Sequence, residues 1–158
     1  MFAIFAARPN PADPLTSLVV GECPEPELPE GWVRVKGSHA SLNRHDLFTL
    51  QGITAQPDPI PFPMILGNDG AGTLEDGTPV VIYPVMGSDE WRDDETLDPR
   101  WHVLSERVPG TFADYVAVPS CNAIGADGLS PNICIRRTHQ RPPLHYWGRY
   151  SSDEAKCP

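Results

Sequence analysis

The 158-residue sequence contains no C-x-x-C pair; its four cysteines, Cys23, Cys121, Cys134 and Cys157, lie far apart. That scatter excludes a self-contained zinc knuckle or disulfide ladder and suits reduced thiols. No apolar run approaches the ~20 residues of a membrane span, so no membrane partner is expected. The opening stretch Met1–Arg8 has no basic segment ahead of its apolar residues. It reads as a first strand rather than a signal peptide, and a cytoplasmic location is expected. Positive charge is scarce: up to Ser130 there are 7 basic and 19 acidic residues. An acidic body of this kind excludes nucleic acid as a natural partner, because phosphate binding needs basic clusters. A dinucleotide fingerprint is lacking too. Gly67, Gly70 and Gly72 lie in a strand–turn region, not in a G-x-G-x-x-G loop between strand and helix. His39, His102, His139 and His145 have no metal-ligand spacing with one another or with a cysteine, and no internal repeat is present.

Short strands punctuated by proline and glycine fill the space these absences leave. Residues 2–7 are apolar and strand-like, and Leu15–Val20 alternates loosely. Pro24–Gly31 is a stiff acidic connector. Trp32–Ala40 alternates apolar and polar residues, as a half-buried strand does. Asn43–Gln51 carries Leu47, Phe48 and Leu50 and suits a short helix with Asn43 as its N-cap. Gly72–Tyr83 reads as a hairpin around Asp76-Gly77. Residues 87–100 read as an acidic surface excursion with Trp91 and Trp101 as aromatic anchors. Thr111–Val118 is the final predicted strand. The expected fold is mainly β with short helices, a partly open barrel, followed by an irregular C-terminal tail.

Three blocks carry more than secondary structure: Ser41-Leu42-Asn43-Arg44-His45-Asp46-Leu47, Pro63-Met64-Ile65-Leu66-Gly67-Asn68-Asp69-Gly70-Ala71-Gly72, and Gly110-Thr111-Phe112-Ala113-Asp114-Tyr115-Val116-Ala117-Val118-Pro119. Together they resemble the chaperonin-10-like (GroES-like) N-terminal catalytic domain of the medium-chain dehydrogenase/reductase superfamily, the alcohol-dehydrogenase type. The resemblance spans residues 1–130. Zinc-dependent members place a cysteine in the first block and a His-Glu pair in the second, where thiolate and imidazole hold a catalytic zinc. Here those positions are Asn43 and Asn68-Asp69, so the resemblance implies the zinc-independent branch with no metal site. That branch includes quinone-oxidoreductase-like and enoyl-reductase-like enzymes, in which NADPH or NADH delivers hydride to a conjugated carbonyl or quinone.

On that resemblance Asn43, Arg44 and His45 are the candidate catalytic residues, and Asn43 and Asn68 the candidate cofactor-binding residues. Arg44 or His45 would donate to a developing enolate; the tyrosine that some relatives carry in this block is absent. Each residue also has a plain structural reading. Asn43 caps the helix, His45 pairs locally with Asp46, Arg44 is solvated, and Asn68 and Asp69 suit left-handed backbone at a glycine turn.

From Pro131 the charge reverses to 5 basic and 2 acidic residues, and residues 131–158 keep no sustained period. They are expected to be a disordered, non-family tail, arising from a shifted frame, an altered splice or a damaged gene copy, with a folded, deliberate extension as the rival reading. No pyrophosphate-binding βαβ unit is present. The chain alone is therefore expected to bind no NAD(P) and to be inactive. Two alternatives stand beside the reductase: a binding or regulatory module pairing with a full-length relative, and a nonfunctional truncated product.

Overall fold

The computed structural model describes residues 1–126 apart from Asp89; the tail expected at 131–158 lies outside the described residues. Strands dominate. A three-stranded antiparallel sheet has the order β2 (Leu18–Glu22), β1 (Phe2–Ala6), β4 (Met64–Ile65). A five-stranded sheet runs β10 (Ala123–Gly125), β6 (Pro79–Ile82), β5 (Asp69–Thr73), β3 (Trp32–Ser41), β9 (Tyr115–Pro119). The pair β7 (Val85–Met86) and β8 (His102–Val103) closes a third ribbon, and α1 (Arg44–Gln51) is the single α-helix among the described residues. The sheets curl into a half-closed barrel, as the strand and turn pattern predicts. None of the described helices is long and apolar enough to cross a membrane.

The alternation read in β3 does place its apolar side chains inward. Val35 joins Val80, Ile82, Met86, Leu104, Val116 and Val118 in the main core, each such side chain contributing roughly 1.5–3 kcal/mol on burial. The strand is not uniform, however. Its register against β5 slips between Gly37 and His39, a bulge in which the Ser38 hydroxyl donates to Ala71 O at 3.0 Å. The predicted hairpin is present. β5 and β6 pair antiparallel around the 74–78 turn, where Gly77 takes φ +87° and its N–H donates to Leu74 O.

Three expectations need correction. Leu15–Val20 is divided between a 3-10 turn at Pro14–Ser17 and β2. The last strand begins at Tyr115 rather than Thr111, because residues 110–112 bond to the 65–67 segment, and β10 follows it. In the 87–100 excursion Trp91 is exposed; the buried anchor is Asp98, whose carboxylate accepts from the Ser88 hydroxyl, the Ser88 N–H and the Arg100 N–H. The Ser88 hydroxyl, then the Ser88 N–H, hold its pKa below the usual carboxylate range. Of the described cysteines, Cys23 is a free thiol.

The second and third sequence blocks are locked together by main-chain bonds. Gly110 N donates to Ile65 O at 3.0 Å, Thr111 N to Gly67 O at 3.0 Å and Phe112 N to Leu66 O at 2.9 Å. Gly110 makes this approach possible, since a Cβ there would overlap the carbonyl oxygens of Leu66 and Gly67. Backbone atoms cannot step aside as a flexible side chain can. Gly110→Ala is therefore expected to destabilise the domain by about 2–3 kcal/mol, measured by urea unfolding; a wild-type midpoint would contradict this packing.

Candidate functional site

Eight residues are too few for a helix to persist alone in water, so α1 is held by its surroundings. Leu50 is buried with Ala6 and Leu66, and Phe62 and Phe112 pack against them. At the other end Asn43 is the N-cap, with extended backbone at φ −122°, and Gly52 closes the helix in left-handed geometry. The cap fulfils the plain reading of Asn43, but its side chain does more. Nδ2 donates to Asp69 Oδ2 at 2.8 Å and to Ser41 O at 3.3 Å, so the amide ties the first block to the second.

The residue that joins the blocks most directly is Asp46. Its Oδ2 accepts the Asn43 N–H at 2.7 Å, and its Oδ1 accepts the Gly67 N–H at 2.9 Å. The side chain is buried, and burial pushes its pKa up, against the lowering pull of the two N–H donors and His45. Gly67 sits at φ +95°, and a Cβ there would run into the Thr111 hydroxyl and the Phe112 ring. The left-handed residue of this turn is therefore Gly67, not Asn68 or Asp69. Asp69 opens β5, opposite Ser41 in register, and accepts from the Ser41 hydroxyl at 3.2 Å. The Thr111 hydroxyl donates to Asp69 O at 2.8 Å, so all three blocks meet here.

Asn68 is 7% exposed, and its Oδ1 is buried with no hydrogen-bond partner. It precedes Asp69 in sequence, at the entry to β5. Arg44, by contrast, is exposed in the first turn of α1, with its guanidinium over the Phe48 ring at 5.6 Å. The structure thus gathers Asn43, Asp69 and the turn carrying Asn68, and leaves Arg44 on the outer side.

His45 does not take Asp46 as its hydrogen-bond partner. Its Nε2 lies 3.4 Å from Glu106 Oε1, and its Nδ1 lies 3.4 Å from Thr49 Oγ1. Glu106 is 4% exposed and also accepts from the Thr54 hydroxyl at 3.1 Å and the Val103 N–H at 3.3 Å. Thr49 in turn donates to Ser105 O at 3.0 Å, and Ser105 adopts φ +68°. Burial alone would raise the Glu106 pKa; the His45 hydrogen bond, the Val103 N–H, the His45 charge and Thr54 together bring it below the ordinary value.

Sequence reading passed over Asp46 and Glu106 as site residues. The Asn43-x-x-Asp46 spacing is a capping signature and marks Asp46 locally. Nothing local marks Glu106, which lies 61 positions from His45. A groove of about 430 Å³ on the outer sheet face, lined by Arg34, Lys36, Thr73 and Tyr115 among others, includes none of the candidate residues.

The two carboxylates act in opposite pH windows. Folding raises the Asp46 pKa, so its contribution is fully present below the unfolded value of about 3.9 and is lost as pH rises through the folded value. Folding lowers the Glu106 pKa, so its contribution is present above about 4.3 and is lost as pH falls through the folded value. Glu106→Gln should therefore be less stable than wild type at neutral pH and closer to it at about pH 3. Urea midpoints at both pH values check this; an equal difference at both would contradict the assignment. Asp46→Asn places an N–H₂ against one of two N–H donors and should cost about 2–3 kcal/mol at pH 7, by the same assay.

The chain matches the family described as alcohol dehydrogenase GroES-like domain over residues 29–127. An NAD-dependent alcohol dehydrogenase of known structure is 29% identical, with a TM-score of 0.72 over 83% of this chain and 41% of its own. An alcohol dehydrogenase from E. coli CFT073, solved with NADH, is 21% identical with a TM-score of 0.70, covering 85% of this chain and 41% of its own. The 2R,3R-butanediol dehydrogenase from Bacillus subtilis is 21% identical with a TM-score of 0.66, covering 82% and 42% respectively. The last two likenesses establish the fold alone. The chain spans about two fifths of the length of these structures. No curated protein matches it. The family match covers most of the described residues and all three sequence blocks, and the chain belongs to the alcohol dehydrogenase GroES-like domain family.

Proposed function

We propose that this domain is the substrate-facing part of a zinc-independent, NAD(P)H-dependent oxidoreductase acting on a quinone or an α,β-unsaturated carbonyl. The observation that carries the proposal is the joining of Asn43 to Asp69, next in sequence to Asn68, beside the Asp46 clamp. Zinc of the catalytic type is held by thiolate and imidazole. This cluster offers two amides and a carboxylate that is already accepting from Asn43 and Ser41. The donor set does not fit that metal.

A nicotinamide nucleotide fits better, because the buried Asn68 oxygen has an acceptor to offer a ribose hydroxyl or a carboxamide N–H. When bound, the nucleotide supplies hydride. The chain's own residues do the rest. Asn43, fixed by Asp69 and Ser41, orients the rim of the site. Arg44, exposed and with its donors outward of the core, supplies a hydrogen bond to the substrate oxygen as negative charge builds there. His45 has both ring nitrogens near protein acceptors, which favours Arg44 as the donor and gives His45 the role of fastening α1 to the 103–106 turn.

The described residues form no phosphate-binding βαβ unit, and we place the hydride chemistry in an assembly that supplies one. The purified chain should reduce neither a quinone nor an enone with NADPH or NADH above a no-protein control. After incubation with zinc and gel filtration it should retain much less than one zinc per chain. Turnover, or one tightly held zinc, would contradict the reading. A second reading, a module that pairs with a full-length relative, is favoured by the exposed apolar side chains flanking the site. Leu42 is 85% exposed and Leu47 45% exposed. Pull-down of a larger reductase would support it, and a monomer at all concentrations with no such partner would count against it.

A further inference from the structure

Positive charge is rare in this chain, yet two of the 7 basic residues up to Ser130 stand two positions apart in one strand. Arg34 and Lys36 flank Val35, whose side chain lies in the main core. Alternation along a strand therefore turns both basic side chains to the opposite, outer face. Residues opposite one another in paired strands share a face. Lys36 stands opposite Thr73 of β5 on one side and Tyr115 of β9 on the other. The row Thr73, Lys36, Tyr115 thus crosses three strands, and with Arg34, Leu74 and Glu75 it lines the groove of about 430 Å³. A recess of that size holds a small molecule.

The polar groups of this groove are underused. The Arg34 guanidinium meets Glu25 at 3.4 Å and lies over the Tyr115 ring at 5.8 Å, and its Nε has no acceptor. Among the described residues, the Lys36 ammonium and the Tyr115 hydroxyl have no hydrogen-bond or ion-pair partner. Lys36 and Glu75 line the same recess without pairing to each other. We propose that the groove binds a small organic monocarboxylate. Lys36 and Tyr115 donate to its carboxylate oxygens, Arg34 adds positive charge beside them, and Leu74 with the Tyr115 ring covers its apolar body. Both donors have hydrogens to give, and bonds to an ionised carboxylate are about twice as strong as neutral ones. Glu75 sets the limit. A ligand with a second negative charge would meet a like charge at the rim, in a domain that is already acidic. The site goes beyond the reductase reading and does not rest on it, since none of residues 43–46 or 67–69 lines the groove.

The test is an NMR titration of the isotopically labelled full chain at neutral pH with benzoate, and separately with neutral benzamide and doubly charged phthalate. Benzoate should shift the main-chain amides of Lys36, Thr73, Leu74 and Tyr115 saturably, while those of α1 stay in place. Benzamide should bind about tenfold more weakly, the ratio for one charge-assisted hydrogen bond, and phthalate should also bind more weakly than benzoate. Lys36 is exposed, so Lys36→Met should keep the wild-type Tm while weakening benzoate about tenfold. Glu75→Gln should bring phthalate closer to benzoate. Equal binding of benzoate and benzamide, phthalate binding as tightly as benzoate, or no saturable shift at millimolar benzoate would each overturn the proposal. So would benzoate binding unchanged in Lys36→Met, or equal shifts around Arg8, Arg44 and Arg107, the mark of general anion attraction. The wild-type titrations decide even if a variant does not fold. Zinc uptake or turnover by the chain would contradict the reductase reading without altering this binding result.

Discussion

Two main-chain N–H groups from different parts of the chain, those of Asn43 and Gly67, converge on the single buried carboxylate of Asp46. Everything proposed for this site depends on that convergence. Charge-assisted bonds of this kind contribute roughly 1.5–3 kcal/mol each, whereas the ordinary balance between folding terms is only several kcal/mol. Burial works against the charge and raises the Asp46 pKa, so the carboxylate is retained for what it organises rather than for a large net gain. It fixes the first turn of α1 against the strand entering β5. That places Asn43 Nδ2 2.8 Å from Asp69 Oδ2.

The third block completes the corner from outside. The Thr111 hydroxyl bonds Asp69 O, while residues 110–112 zip onto 65–67 through the main chain. Because the bonds are main-chain bonds, they are indifferent to most side-chain changes nearby. Side chains at this corner can therefore vary while the frame stays the same, as when one fold carries different sites. Fold and site are separate questions here, and only the second bears on substrate.

The parts of the account legible in the sequence are those governed by neighbours. The alternation of Trp32–Ala40, the Asp76-Gly77 turn and the Asn43 cap all depend on residues within a few positions, and all three are present in the structure. The bulge at Gly37–His39 was not legible, since it follows from pairing with β5 some 33 positions away. The same holds for Glu106, whose relation to His45 exists only once the 102–106 turn has packed against α1. In the acidic excursion, two tryptophans drew attention by size, yet Asp98 anchors it, because a carboxylate can gather several N–H and O–H donors at a turn. Asp46 lay between these cases. Its capping spacing was local, but its bond to Gly67 was not.

The most direct measurement of the central claim is amide hydrogen exchange at Asn43 and Gly67, read residue by residue in the full chain and in Asp46→Asn. If one carboxylate holds both groups, the two amides are strongly protected in wild type and lose protection together in the variant, while the β3–β9 amides keep theirs. Two amides that exchange rapidly in wild type, or that remain protected when Asp46 is changed, would contradict it.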